Sequence, residues 1–376
     1  MSFVEAFGML FTFQKWTTIP NYTENAKIKK HVILVRMTPF TIGIFLIIFE
    51  ISKTKFFINV RPISLDKNIS DLVTFAMKMC YFVKRCGISC MIFCGLKNNA
   101  THLRLIRKVS CLKEKFRNDS IKSKSTFWKR SNVEGVLNIA VNLSGGVSYY
   151  IFGVIDHEFA PMLLHALFIL ILIVENMMVL YFINFFRQIL QILSVLIRES
   201  EIIGSSLTFF AVVKDFFEIV PLFNSALGGI IFVNIVQHIA IAALTLYSLI
   251  WLLIEGHHMK SQIFITVTCC IWLIENFLII LAVCSVGNTV SKKMQQLLDF
   301  QKRIYCSIED ESQPKLLQFN KEQFQLWKFH ADVKIIAAGS TEINNSGYFS
   351  VLSFIVTYLI ILMQFKQMEE GIIDTK

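Results

Sequence analysis

Apolar residues dominate this chain in long blocks rather than at alternating positions, and polar residues gather between the blocks. Seven blocks, at 32–51, 72–96, 133–155, 160–183, 229–253, 262–287 and 346–365, supply the roughly 20 residues that a helix rising about 1.5 Å per residue needs to cross about 30 Å of hydrocarbon. They recur along the whole length and leave no gap for a soluble domain of ordinary size. The pattern therefore predicts an all-α polytopic membrane protein, one domain over 1–376. The second block is the weakest, because Lys78, Lys84 and Arg85 are costly in hydrocarbon unless they meet a wet cavity, a partner or the interface.

The connections differ in length. Residues 156–159 ("DHEF") and 254–261 ("IEGHHMKS") read as tight hairpins, and 97–132 as a basic cytoplasmic loop. The stretches 184–228 and 288–345 are long enough to hold helices of their own. Within them, "NFFRQILQILSVLIRESEII" and "VSKKMQQLLDFQKRIY" place apolar residues at helical spacing with charges between. Both read as extensions of membrane helices into a cytoplasmic anchor bundle, a natural place for subunit contacts.

Charge sets the orientation. With the N-terminus inside, 26 Lys and Arg fall in inside segments and 7 in outside segments, with four more in the spans. Cytoplasmic loops carry the excess of Lys and Arg, so the N-terminus is expected in the cytoplasm and the C-terminus outside. If 72–96 did not span, six helices would keep the C-terminal half in the same orientation, so charge alone leaves the helix count open. The reverse arrangement, that of G-protein-coupled receptors, would put the excess outside.

Composition agrees: 54% of residues are hydrophobic and 17% charged, with a mean hydropathy of +0.57. The net charge of +10 follows from the cytoplasmic excess and requires no nucleic acid. The opening "MSFVEAFGMLFTFQKWTTIP" has no basic n-region and no A-x-A-like site, so insertion is expected through internal helices. The nine cysteines fall in spans or basic loops, which argues against a disulfide framework. Cys86, Cys90 and Cys94 share a helix face with no His or carboxylate beside them, and adjacent His257 and His258 near Glu255 lack ligand spacing. No metal, cofactor or enzymatic motif is expected. Asn68, in Asn68-Ile69-Ser70, is an expected outside glycosylation acceptor.

The last block carries the most informative motif. In "TYLIILMQF", Thr357 and Gln364 are seven residues apart, as are Tyr358 and Phe365, so each pair lies on one stripe of the helix and the two stripes are adjacent. Polar residues in a span also hydrogen-bond to a neighbouring helix for purely structural reasons. Thr-Tyr, five hydrophobic residues and Gln-Phe in a final span resembles the signature of insect gustatory receptors, and "IIAAGSTEINNSGYFSVLSFIV" resembles the approach to the last helix in that family.

The resemblance implies a tastant-gated, non-selective cation channel in the plasma membrane of a chemosensory neuron dendrite. It would be assembled as a tetramer with itself or with other gustatory receptor subunits. Gln364, Phe365 and Ile361 would form the pore gate, with Thr357 and Tyr358 bracing the seventh helix against its neighbours. The sugar-receptor branch typically has Glu after Thr-Tyr, and Leu359 stands here instead, which leaves the branches for bitter and other ligands.

The resemblance also implies a small-molecule cavity among the second to sixth spans. Its candidate lining is Lys78, Tyr81, Tyr149, Tyr150, His165, Glu175, Tyr247, Trp251, Trp272 and Glu275. Glu175 and Glu275 either contact ligand or pair with Lys78, Lys84 or Arg85 in a structural network. The rivals are an odorant receptor subunit, which shares fold and mechanism, and a transporter, which would show an inverted repeat and broken helices.

Overall fold

The computed structural model describes residues 7–17, 71–115, 121–155, 162–203, 207–254, 260–306, 334–339 and 341–373. The expected first span at 32–51, Asn68, and the 156–159 and 255–259 connections lie outside the described residues. The helices are α1 (Met9–Thr17), α2 (Asp71–Lys97), α3 (Asn99–Lys115), α4 (Ile121–Ile155), α5 (Met162–Ile203), α6 (Leu207–Phe217), α7 (Ile219–Ile254), α8 (Lys260–Cys306) and α9 (Asn345–Ile373). A short hairpin of β1 (Ile336–Ala337) and β2 (Thr341–Glu342) precedes α9. Among the described residues the fold is all-α apart from this hairpin.

Six expected spans fall on α2, α4, α5, α7, α8 and α9, residues 160 and 161 of the span at 160–183 lying outside the described residues. Among the described residues, Leu172–Glu199, Ala211–Trp251, Cys269–Arg303 and Asn345–Phe365 are long and apolar enough to cross a membrane. Several helices exceed that need. The 42 residues of α5 and 47 of α8 give rods of about 63 and 70 Å, so roughly half of each projects beyond the hydrocarbon.

The core runs along α5 and α7. α7 packs most extensively against α2 and also against α3, α8 and α9, while α5 packs on α4, α8 and α1. Tyr181 and Phe185 of α5 meet Phe7 of the N-terminal segment, Phe185 and Phe186 meet Phe223 of α7, and Phe182 packs on Tyr181, all buried. Each such ring buries on the order of 150–250 Å², which makes this cluster a large part of the apolar burial.

Two findings correct the reading of the sequence. Residues 97–132, expected as a loop, are largely helical: α3 fills 99–115 and α4 begins at Ile121. The signal was present, since Leu105, Ile106, Val109 and Leu112 recur at helical spacing and are all buried. Asn98 continues the chain almost without a break, its N–H donating to Cys94 O at 3.1 Å and its carbonyl accepting from His102 N at 2.9 Å. α1 was not expected either. Phe7, Leu10, Phe11 and Gln14 form its buried stripe, and the side chains of Ser131 and Asn132 hold its start, the first donating to Phe7 O at 3.0 Å and the second accepting from Met9 N at 3.1 Å.

His102 on α3 is buried, with Nε2 3.1 Å from the Tyr181 hydroxyl. Burial disfavours the imidazolium and pushes this group from 6.5 down to about 3. Below pH 6.5 the unfolded chain therefore binds the proton that the folded chain refuses, and stability falls as pH drops toward 3. Melting at pH 7.5 and 5.5 is expected to show a loss of about 1.4 kcal/mol that disappears in His102→Gln. An equal acid loss in that variant would show that other groups carry it.

Candidate functional site

Apolar helices that carry polar side chains inward must satisfy them on one another, because an unpaired amide or charge in such a core costs several kcal/mol. Here they converge from five helices. The centre is Glu175 on α5, fully buried, whose Oε2 accepts from Lys84 Nζ on α2 at 2.9 Å and whose Oε1 accepts from Gln237 Nε2 on α7 at 2.7 Å. His238, next along α7, brings Nε2 to 3.6 Å from the same Oε1. Its Nδ1 pairs with Asn276 Oδ1 on α8, and Asn276 Nδ2 donates to Trp272 O at 2.6 Å.

A second carboxylate joins from α8. Glu275 Oε1 accepts from Asn142 Nδ2 on α4 at 3.1 Å and from Asn176 Nδ2 on α5. Asn142 also donates to Asn138 Oδ1 at 2.8 Å. Glu175 and Glu275, each followed by Asn in the sequence, thus play different parts. Glu175 takes the ammonium, while Glu275 is held by amides alone among its described hydrogen-bonding partners.

Small residues make room for this network. A Cβ at Gly87 on α2 would sit on the Gln237 side-chain oxygen, so the missing side chain is what lets Gln237 reach Glu175. At Gly145 on α4, a Cβ would lie 3.2 Å from Trp272 Nε1, so the indole lies close over that backbone.

The candidate lining residues therefore separate. Glu175 is linked through His238 and Asn276 to the Trp272 carbonyl, Glu275 gathers Asn142 and Asn176 beside them, and the charged partner of Glu175 is Lys84. Tyr247 and Trp251 are buried on α7. Lys78, Tyr81, Tyr149, Tyr150 and His165 lie on α2, α4 and α5, but their side chains are outside the described residues. Sequence reasoning passed over Gln237, His238 and Asn142, and noted Asn176 and Asn276 only as the residues after Glu175 and Glu275. The signal was "NIVQH", which puts Asn234, Gln237 and His238 at i, i+3 and i+4 of an otherwise apolar span. Among the described residues no three His, Cys, Asp or Glu side chains are grouped to hold a metal ion.

α9 contrasts with this interior. It rests on α7 and α8 through one edge that includes buried Val351 and Ile355, while most of its surface is open. Phe354, Tyr358, Ile361, Phe365 and Met368 are all exposed at 4-3-4-3 spacing, with Phe365 55% exposed. That is the spacing of a seam at which helices associate. Beside it, Ser350, Thr357 and Gln364 are exposed at intervals of seven. The Thr357 hydroxyl donates to Ser353 O at 2.9 Å on its own helix. Thr357 and Tyr358, expected to brace α9 against neighbouring helices of the same chain, instead face outward in the single chain.

The 7tm Chemosensory receptor family model matches residues 6–369. Gustatory receptor 68a of Drosophila melanogaster is 28% identical over 105 residues, a match that spans 28% of this chain and only 25% of that relative. Among solved structures, the insect olfactory receptor OR5 from Machilis hrabei superposes with a TM-score of 0.62 at 12% identity, covering 96% of this chain and 97% of that one. The same receptor in complex with eugenol gives a TM-score of 0.55 at 12% identity with the same coverage. At such identity the likeness is one of fold.

Proposed function

This chain belongs to the 7tm chemosensory receptor family, and we propose that it is a gustatory receptor acting as a tastant-gated cation channel in the plasma membrane of a sensory neuron. Family membership makes it a chemoreceptor rather than an enzyme. The channel reading, the seven-helix count with cytoplasmic N-terminus, the tetramer and the ligand class are the proposal. Leu359 after the Thr-Tyr pair favours ligands outside the sugar branch, bitter compounds among them.

The observation that carries it is the open face of α9. The Gln364 amide, on an exposed stripe with Thr357, is poorly suited to lipid, where polar groups must find partners. It fits a face turned toward water or toward other copies of the chain. Four copies meeting along the aromatic seam would surround one path, with Phe365 rings closing it by excluding water and Gln364 entering as the helix rotates. The buried network of Glu175 and Glu275 would be the floor of a ligand site that prefers the open state and so shifts the population toward it.

The test is current. Expressed alone or with a second receptor of this kind, the chain is expected to conduct cations when a tastant panel is applied. Glu275→Gln is expected to move the dose-response at unchanged surface level. A C-terminal epitope readable on intact cells checks the orientation. Silence under every ligand with the protein at the surface would count against the reading. An odorant receptor subunit is the second reading, since the fold likeness to OR5 over 96% of this chain fits either kind of receptor. It predicts current only beside a common co-receptor and volatile ligands.

A further inference from the structure

The backbone just ahead of α9 is held from two sides. β1 and β2 pair antiparallel, Ile336 opposite Glu342 and Ala337 opposite Thr341, and Ile343 N donates to Ile335 O at 2.9 Å. Ala338 and Gly339 in the turn have φ of 50° and 73°, and the left-handed conformation of Ala338 persists only where its surroundings enforce it. Asn224 on α7 supplies part of that hold. Its Nδ2 donates to Lys334 O at 3.0 Å and its Oδ1 accepts from Ile336 N at 3.0 Å, so one side-chain amide pairs with the hairpin edge as a further strand would.

Two glycines let the helices come close. A Cβ at Gly228, one turn along α7 from Asn224, would lie 2.8 Å from Ile336 O. On α8, a Cβ at Gly287 would lie 2.7 Å from Ile343 O. Asn344 follows at once and caps α9, its Oδ1 accepting from Gly347 N at 2.8 Å. Residues 335–339 and 341–344 thus touch α7 and α8 and start α9.

We propose that Asn224, with Gly228 and Gly287, is a positioning clamp that fixes the hairpin on α7 and α8 and so sets where and at what angle α9 begins. Its bearing on gating rests on α9 lining the conduction path. The long exposed face of α9 leaves its start as a principal hold. A shift between α7 and α8 is therefore delivered to α9 through the hairpin.

The full chain is tested with fluorescent non-natural residues at exposed Ser285 on α8 and exposed Ser350 on α9, labelled chains being diluted into unlabelled ones. Asn224→Ala and Gly228→Ala are expected to broaden the distance distribution between the labels and to speed amide exchange over 335–348 at least tenfold. Ser225→Ala, at an exposed neighbour, is expected to do neither. Asn224→Asp keeps the acceptor for Ile336 and loses the donor to Lys334, so it falls between, and it carries the test if Gly228→Ala fails to fold.

Unchanged exchange in the Asn224 variants would remove the clamp. Faster exchange with an unchanged distance would show that the clamp does not position α9. Where the wild type conducts, Asn224→Ala is expected to change ligand-free current per surface copy at least threefold. A silent wild type with these distance results intact would speak against the channel reading and leave the clamp standing.

Discussion

Lys84→Met is expected to destabilise the folded protein by about 3–5 kcal/mol, because it strands the Glu175 carboxylate in a buried core with only the Gln237 amide and the His238 imidazole beside it. Glu175→Gln is expected to cost a similar amount by stranding the ammonium. Combined, the two changes leave no buried charge at this pair, and Gln at 175 still offers Gln237 an acceptor. The double variant is therefore expected to be far less damaged than the sum of the singles, with a coupling energy above about 2 kcal/mol. Thermal melts of detergent-purified protein, read beside surface yield, supply the four corners of the cycle. Additive losses would mean that the pair at 2.9 Å is not a coupled unit.

Phe365→Ala is expected to leak. On the proposed reading the closed path is sealed by apolar rings, and removing them leaves a methyl group that no longer excludes water. A tenfold rise in ligand-free current per surface copy, equivalent to about 1.4 kcal/mol in the closed-to-open equilibrium, is the expected scale. Ile361→Ala, one turn earlier on the same exposed seam, is expected to leak less because the Phe365 rings remain. If Phe365→Ala stays shut without ligand yet still opens with it, the seal lies elsewhere on α9.

Much of this architecture is written in strong, long-range patterns. Spans of 20 or more apolar residues survive any uncertainty about their ends: both ends of α2, the end of α7 and the start of α8 lie within a few residues of the expected bounds. Where the pattern was short or mixed, it was passed over. The helical stripe of α3 was hidden because Arg104, Arg107 and Lys108 interrupt it, and charge counting assigns such a stretch to a loop. α1 went unseen because nine residues are too few to form a helix without the partners that bury Phe7 and Leu10.

The site was legible in part for a related reason. Ionisable residues inside a span stand out by cost, which singled out Glu175, Glu275 and Lys84. Which acid meets which base depends on rotation and register of helices far apart in sequence, and no local periodicity encodes that. The amides that complete the network are cheaper to bury and less conspicuous. Gly87 carries no signal at all until Gln237 is seen in the space beside it. The hairpin before α9 is likewise a matter of two helices closing on a segment that reads as a polar bend.

The Lys84–Glu175 pair spans 91 residues, and that separation has a meaning during synthesis. At roughly 5–20 residues per second, Lys84 leaves the ribosome about 5–20 s before its partner exists. For that interval α2 carries an uncompensated cation, which disfavours full entry into hydrocarbon and favours a shallow or protein-shielded berth. The arrival of α5 removes the penalty. One ion pair thereby imposes an order of assembly: the second helix settles only when the fifth has been made.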